Sequence, residues 1–237
     1  MAEVAIGLDP DAAIKQIFRD PSWKLVLGTG SVINATALVL LGTGSWSLPL
    51  LPVAFLLWAA AQGYLLKVVR ACIAYPESGL PEWSNWADLL ISGLTWLAFI
   101  CVQVILALSV VYFSLVIGAM RGFLNALTPQ FPIWAYSTIA ANALVFFIAT
   151  FFLPLLMANF AEQERVPAAL AVPTAMKRLL KSPEQFLLLW LLSMGVYAIA
   201  IIVPLFTLIG VMFIPLTTFV ASLLNAIMLA QVWRSTK

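Results

Sequence analysis

Four stretches of this chain carry no charged residue: Leu25 to Leu66, Leu89 to Met120, Gly122 to Ala161 and Gln185 to Trp233. A helix crosses a bilayer with about 20 apolar residues, and hydrocarbon offers no partner to an open backbone N–H or C=O. Helices are therefore the expected elements, and the runs divide where turn residues fall. Gly42, Gly44, Ser45, Ser47 and Pro49 split the first into helices near 23–43 and 48–72. The second run reads as one long helix ending at Gly118, Arg121 and Gly122. Pro129 and Pro132 precede a fourth helix from Ile133 to about Phe160. Pro204, Gly210 and Pro215 divide the last run into helices near 184–206 and 211–233. The expected fold is all-α, a single integral membrane domain over residues 1–237 with six transmembrane helices.

Composition excludes several classes of function. Hydrophobic residues make up 63% of the chain and charged ones 9%, with a mean hydropathy of +1.05. Soluble domains sit at roughly 45–50% and 25%. A net charge of +2, with its basic residues scattered, does not suit nucleic acid. The expected partners are membrane lipids and other integral membrane proteins. Histidine is absent, which removes the usual general base, metal ligand and haem ligand, so no cofactor, metal or catalytic residue is expected. Cys72 lies near a membrane surface and Cys101 about twelve residues into a helix, a depth difference of roughly 18 Å, so both thiols are expected free. Glu3, Asp9 and Asp11 precede any apolar run and no basic leader region is visible, so no removable signal peptide is expected.

Charge placement orients the spans. With six of them, Lys15, Arg19, Lys24, Lys67, Arg70, Arg165, Lys177, Arg178, Lys181, Arg234 and Lys237 share one side, together with every acidic residue, and Arg121 stands alone opposite. Cytoplasmic loops collect Lys and Arg, which puts both termini in the cytoplasm. Arg121 reads as a snorkelling anchor.

Two segments resemble each other. Ala13-Ile-Lys-Gln-Ile-Phe-Arg-Asp-Pro21 and Ala175-Met-Lys-Arg-Leu-Leu-Lys-Ser-Pro183 each precede a membrane hairpin. Ile14, Ile17 and Phe18 share one helical face, as do Met176, Leu179 and Leu180, while Lys15, Arg19, Lys177 and Lys181 face away. Both segments are expected to be amphipathic helices on the cytoplasmic leaflet. Asp20 and Ser182 are N-cap types, Pro21 and Pro183 suit the next position, and Ser182 with Gln185 makes a capping box. A duplication would pair residues 10–72 with 173–237 as parallel repeats around an inserted hairpin at 89–160.

Between the second and third spans, Leu80, Trp83, Trp86 and Leu90 can line one face of a short Trp-rich helix, with Glu82, Ser84, Asn85 and Asp88 elsewhere. The tryptophans read as interfacial anchors or as a surface for a partner. The succession Gly63-Tyr-Leu-Leu-Lys-Val-Val-Arg70, Leu80-Pro-Glu-Trp-Ser-Asn-Trp-Ala-Asp-Leu89 and Gly93 resembles the signature of an uncharacterised prokaryotic membrane family, domain of unknown function 4013. Phe18 to Trp23 is similar to that family's start. The resemblance covers the first 100 or so residues well and the remainder by hydropathy. It implies a polytopic protein of a prokaryotic inner (plasma) or thylakoid membrane, and it implies no site residues.

No proposed helix interior contains an ionisable residue, which argues against a coupled pump. Asn34, Gln62, Gln103, Asn142, Asn159 and Asn225 are the polar side chains there, and interhelical hydrogen bonding accounts for them. Gly28, Gly30, Ala59, Ala60, Gly63 and Gly93 suit close helix approach. Gly-Thr-Gly-Ser, at Gly28 and at Gly42, lacks the lysine of a phosphate loop. The reading is a non-enzymatic accessory, assembly or scaffolding factor of a larger membrane complex. Glu82, Trp83, Trp86, Asp88, Lys15, Arg19, Lys177 and Lys181 are its candidate contacts. The alternative is a transporter or channel for a neutral or lipidic solute, with a cavity lined by Asn34, Gln62, Asn142 or Asn225. A surface metal site at Glu77, Glu82 and Asp88 is the remote third reading.

Overall fold

Pro10 and Asp9 start the first helix together: the Asp9 carboxylate accepts the Ala12 N–H at 2.9 Å, and proline suits a position that has no N–H to place. The computed structural model describes residues 7–42, 49–76, 79–125, 131–165, 167, 171–207 and 209–236. Among them the helices are α1 (Pro10–Arg19), α2 (Trp23–Gly42), α3 (Leu51–Ala74), α4 (Trp86–Asn125), α5 (Phe131–Gln163), α6 (Val172–Leu179), α7 (Pro183–Leu205) and α8 (Ile214–Ser235), with a 3₁₀ turn at Gly210–Phe213 leading into α8. Six of these, α2, α3, α4, α5, α7 and α8, are long and apolar enough to cross a membrane. The expected turn at 43–48 and the segment 126–130 lie outside the described residues.

Two compact units divide the chain, residues 1–97 with 155–237, and residues 98–154. In the first, α3 and α8 are the inner helices. The second helix packs on both, α7 packs on α8, and α1 lies against α8 and α2. Small side chains allow this: Ala54, Ala59, Ala60 and Ala61 of α3 and Ala221, Ala226 and Ala230 of α8 are all buried. In lipid there is no hydrophobic drive between helices, so close backbone approach and the van der Waals contact it permits hold them together. The tightest approach is the crossing of α3 with the first turns of α4. A Cβ on Gly63 would collide with the Leu89 carbonyl, and one on Gly93 with the Ala59 carbonyl. In the second unit, the Ser114 hydroxyl donates to Asn142 Oδ1 at 3.0 Å.

Three local expectations change. In the first helix the buried face is Ala13 with Ile17, leaving Ile14 and Phe18 exposed; in α6 it is Ala175 with Leu179, leaving Leu180 exposed. The apolar arc of each helix is thus split, one edge against the bundle and the other outward, where Phe18 meets the Trp23 ring edge-on at 5.2 Å. Ser182 stands before α7 without a side-chain cap, and the Gln185 half of the expected capping box is diverted, its Oε1 accepting from the Ser235 hydroxyl at 2.7 Å. The anticipated helix around Leu80 and Trp83 is irregular chain with a bend at Trp83, where the Ser84 N–H donates to the Glu82 carbonyl at 2.9 Å, and α4 begins at Trp86, preceded by Asn85 at φ 57°. That left-handed conformation is one asparagine tolerates, and it breaks any helix running through it.

Because the atoms facing Gly63 and Gly93 are backbone, the added methyl of Gly63→Ala or Gly93→Ala has nowhere to go. Each should lower stability by about 2–3 kcal/mol, the usual size of an overpacking penalty. Gly195→Ala, with open space at its Cβ, should stay within about 1 kcal/mol of the parent. Thermal melting of the purified protein in detergent, followed by size exclusion, measures all three.

Candidate functional site

Gly79 to Asn85 crosses one end of the first unit as a strap, and its backbone is held by side chains where no helix holds it. The Leu80 N–H donates to Asp20 Oδ2 at 2.6 Å. The Tyr64 hydroxyl donates to the Pro81 carbonyl at 2.8 Å, and Lys67 Nζ donates to the Glu82 carbonyl at 2.8 Å and the Ser84 hydroxyl at 3.1 Å. Irregular chain has no helical ladder to satisfy its backbone, and these side chains take that part. Tyr64 lies ten residues before the end of α3, about 15 Å along its axis, so the strap dips into the bundle.

Trp83 is the side chain carried inward. Its ring stacks on Tyr64 with centroids 4.0 Å apart and planes at 7°, and Nε1 donates to the Val26 carbonyl at 3.3 Å. Phe219 of α8 lies 6.3 Å from Tyr64 and 6.1 Å from Trp83, against the bare backbone of Gly30, where a Cβ would strike its ring. One aromatic cluster thus joins α2, α3, α8 and the strap. Trp86, the other tryptophan of the motif, is 47% exposed.

Asp20 is the keystone of the strap. It is buried, and Gly79 passes so close that a Cβ there would collide with Oδ2. Oδ1 accepts both the N–H and the hydroxyl of Ser22. Burial pushes this carboxyl up, but the Ser22 hydroxyl, the Ser22 N–H and the Leu80 N–H outweigh it and hold the carboxyl below its ordinary value of 3.8. The helix cap expected of Asp20 is not formed; α2 starts at Trp23, with its first bond running from Val26 N–H to the Ser22 carbonyl.

A second polar node ties α5, α6 and α8. Glu162 Oε2 accepts from Arg178 at 2.9 Å and from Trp233 Nε1 at 2.9 Å, while the Arg178 guanidinium lies 4.3 Å from the Trp233 ring centroid. Lys181 donates to the Thr236 carbonyl at 2.9 Å. Nearby, Arg70 donates to the Ala161 carbonyl at 3.1 Å and pairs with Glu164 at 2.8 Å, holding a residue with φ 55° just past the end of α5. These charges, with Lys24 and Lys67, gather at one end of the first unit, the charged end.

Of the residues singled out in the sequence, Glu82, Trp86 and Asp88 are exposed around the strap. Beside them a polar recess of about 180 Å³ is lined by Lys67, Arg70, Ser84 and Asp88 among others. Lys15 is exposed and paired with Asp11; Arg19 and Lys177 are exposed too. Asn34 and Gln62 are half-buried, and Asn142 lines an apolar groove of about 280 Å³ within the second unit. Both amide atoms of Asn225 are buried without a hydrogen-bond partner. Glu77 lies outside the described residues. Asp20 entered the sequence analysis only as a cap type and Tyr64 only as part of a motif, while Glu162 and Trp233 were given no role there. The glycine before Leu80-Pro81 was a usable sign of close approach, whereas nothing in the sequence pairs Glu162 with Trp233. Cys72 is buried and Cys101 exposed, both as free thiols.

Asp20→Asn offers one oxygen where two are in use and should cost about 2 kcal/mol. The pH dependence follows from the lowered carboxyl. Its contribution is complete above 3.8 and should be lost as pH falls below that value through the lower folded one, so the acid-side loss of melting temperature should be smaller in Asp20→Asn. Arg178→Lys keeps the charge but loses the planar stack and fork, and should cost about 1–2 kcal/mol in the same melts.

The family described as "Protein of unknown function (DUF4013)" matches residues 48–212. The match begins later than the similarity at Phe18 to Trp23 and runs well beyond the first 100 residues. No curated protein and no solved structure matches the chain.

Proposed function

From the premise that this chain belongs to the DUF4013 family, a family defined without an activity, we propose that it is a non-enzymatic accessory or assembly factor of a larger membrane complex. It works by contact at its charged end, which faces the cytoplasm of a prokaryotic inner (plasma) or thylakoid membrane, as the concentration of Lys and Arg there favours.

One observation carries this reading. The strap is fixed from within by Asp20, Tyr64 and Lys67, and it leads directly into Trp86, the first residue of α4, which is 47% exposed in a segment where Glu82 and Asp88 are exposed too. A surface already held in place loses little conformational entropy when a partner docks, and a rigid aromatic is the usual centre of such a contact. The partner is another integral membrane protein with a basic or polar segment at the same level. The internal similarity belongs to the same proposal. Ala13 and Ala175, and Ile17 and Leu179, occupy matching buried positions ahead of the two hairpins, as a duplication of 10–72 and 173–237 would place them.

A photo-crosslinking residue at position 86, introduced in cells, should give a discrete adduct larger than the chain. The adduct should disappear with Asp88→Lys and be absent when the crosslinker sits at Phe206, at the end of α7. A chain that runs alone from every position sinks the proposal.

A further inference from the structure

Two apolar grooves in the first unit meet at a single lysine. The larger, about 620 Å³, lies between α2, α7 and α8 and extends from Trp23 and Lys24 to Val203 and Pro204 near the end of α7. The smaller, about 420 Å³, follows the other side of α2 past Leu25, Thr29 and Val32 and is bounded by Trp86. Lys24 and Gly28 are the residues common to both. They are one helical turn apart on the same strip of α2, so they form the ridge that separates the grooves. At Gly28 the ridge is a saddle, since a Cβ there would meet nothing.

Lys24 is the second residue of α2, at the start of the stretch long and apolar enough to cross the membrane, hence at headgroup level. Its ammonium stands 5.7 Å from the Trp23 ring centroid, and among the described residues no carboxylate pairs with it. That leaves donors for an external anion. The geometry points to a binding site for one two-chain anionic glycerophospholipid that straddles α2. Its phosphate rests on Lys24, its glycerol backbone crosses the saddle at Gly28, and one acyl chain descends each groove. Trp23 and Trp86 flank it at the depth where indoles favour the membrane interface. The site does not rest on the proposed partner contact, and either can fail alone.

Native mass spectrometry of the full chain in detergent tests it, with dioleoyl phosphatidylglycerol, dioleoyl phosphatidylcholine, lysophosphatidylglycerol and inorganic phosphate as probes. One phosphatidylglycerol should be retained per chain, about fivefold more tightly than phosphatidylcholine, the expected worth of one lysine toward an anionic headgroup. Lys24→Gln should abolish that preference. Gly28→Leu should fill the saddle and weaken the two-chain lipid while leaving the lysolipid bound as before. Should that variant not fold, Val32→Trp, at a position 65% exposed, obstructs the smaller groove with the same expected result. Equal retention of the two headgroups by the parent, no effect of Lys24→Gln, a lysolipid bound as tightly as the two-chain lipid, or displacement by inorganic phosphate would each overturn the site.

Discussion

The strap at the charged end is built against a helix crossing made by two glycines. With Gly63 and Gly93 at the crossing, the backbones of α3 and α4 touch, and a single methyl would part them. The contact fixes where α4 must begin, and with it where Gly79 to Asn85 can run. A strap so short cannot skirt the bundle, and it passes over Tyr64, where Trp83 finds a ring to stack on. The bare edge of α3 at Gly63 is also what lets the first turn of α4 lie low enough for Lys67 to reach Glu82 and Ser84.

Three backbone groups of the strap are met by side chains from elsewhere in the first unit, and the three suppliers are chemically different. A carboxylate takes an N–H, a phenol gives to a proline carbonyl, and an ammonium serves two acceptors. Burial works against the charge of Asp20, but the Ser22 hydroxyl, the Ser22 N–H and the Leu80 N–H together outweigh it and hold the group as a carboxylate. Tyr64, fully buried, supplies a neutral donor instead.

The spans were legible because hydrocarbon imposes one answer on a run of twenty apolar residues, and proline and glycine mark where the answer changes. The helices expected to end near 72 and 233 end at Ala74 and Ser235, whereas α4 runs through Gly118, Arg121 and Gly122, where it was expected to stop, to Asn125, since glycine weakens a helix without forbidding it. The strap was legible only as a motif. Spacing allowed Leu80, Trp83 and Trp86 to share a helical face, but local spacing carries no information about Asp20 and Tyr64, which are distant in sequence and hold the segment out of a helix. For the same reason the spacing gave no sign that Trp83, half-buried, stacks on Tyr64 and donates to the Val26 carbonyl. Glu162 illustrates a second limit. It sat at the edge of a span as one acidic residue among several, and its link to Arg178 and Trp233 exists only once α5, α6 and α8 are brought together.

The strap and the lipid grooves share a helix turn, and this joins the two surfaces physically. Trp83 donates to the carbonyl of Val26, which lies between Lys24 and Gly28 on α2. Trp86 closes the smaller groove while standing at the exposed edge of the strap. A chain seated in that groove would touch the same indole that a docking partner would touch. The two ligands would therefore compete for Trp86 or bury it between them, and the sign of that coupling depends on whether the ring keeps one rotamer in both complexes. Because coupling free energy is reciprocal, a lipid that favours the partner's rotamer is favoured by the partner in turn. With Trp83 locked against Tyr64 and Val26, Trp86 is the member of the motif left with room to respond.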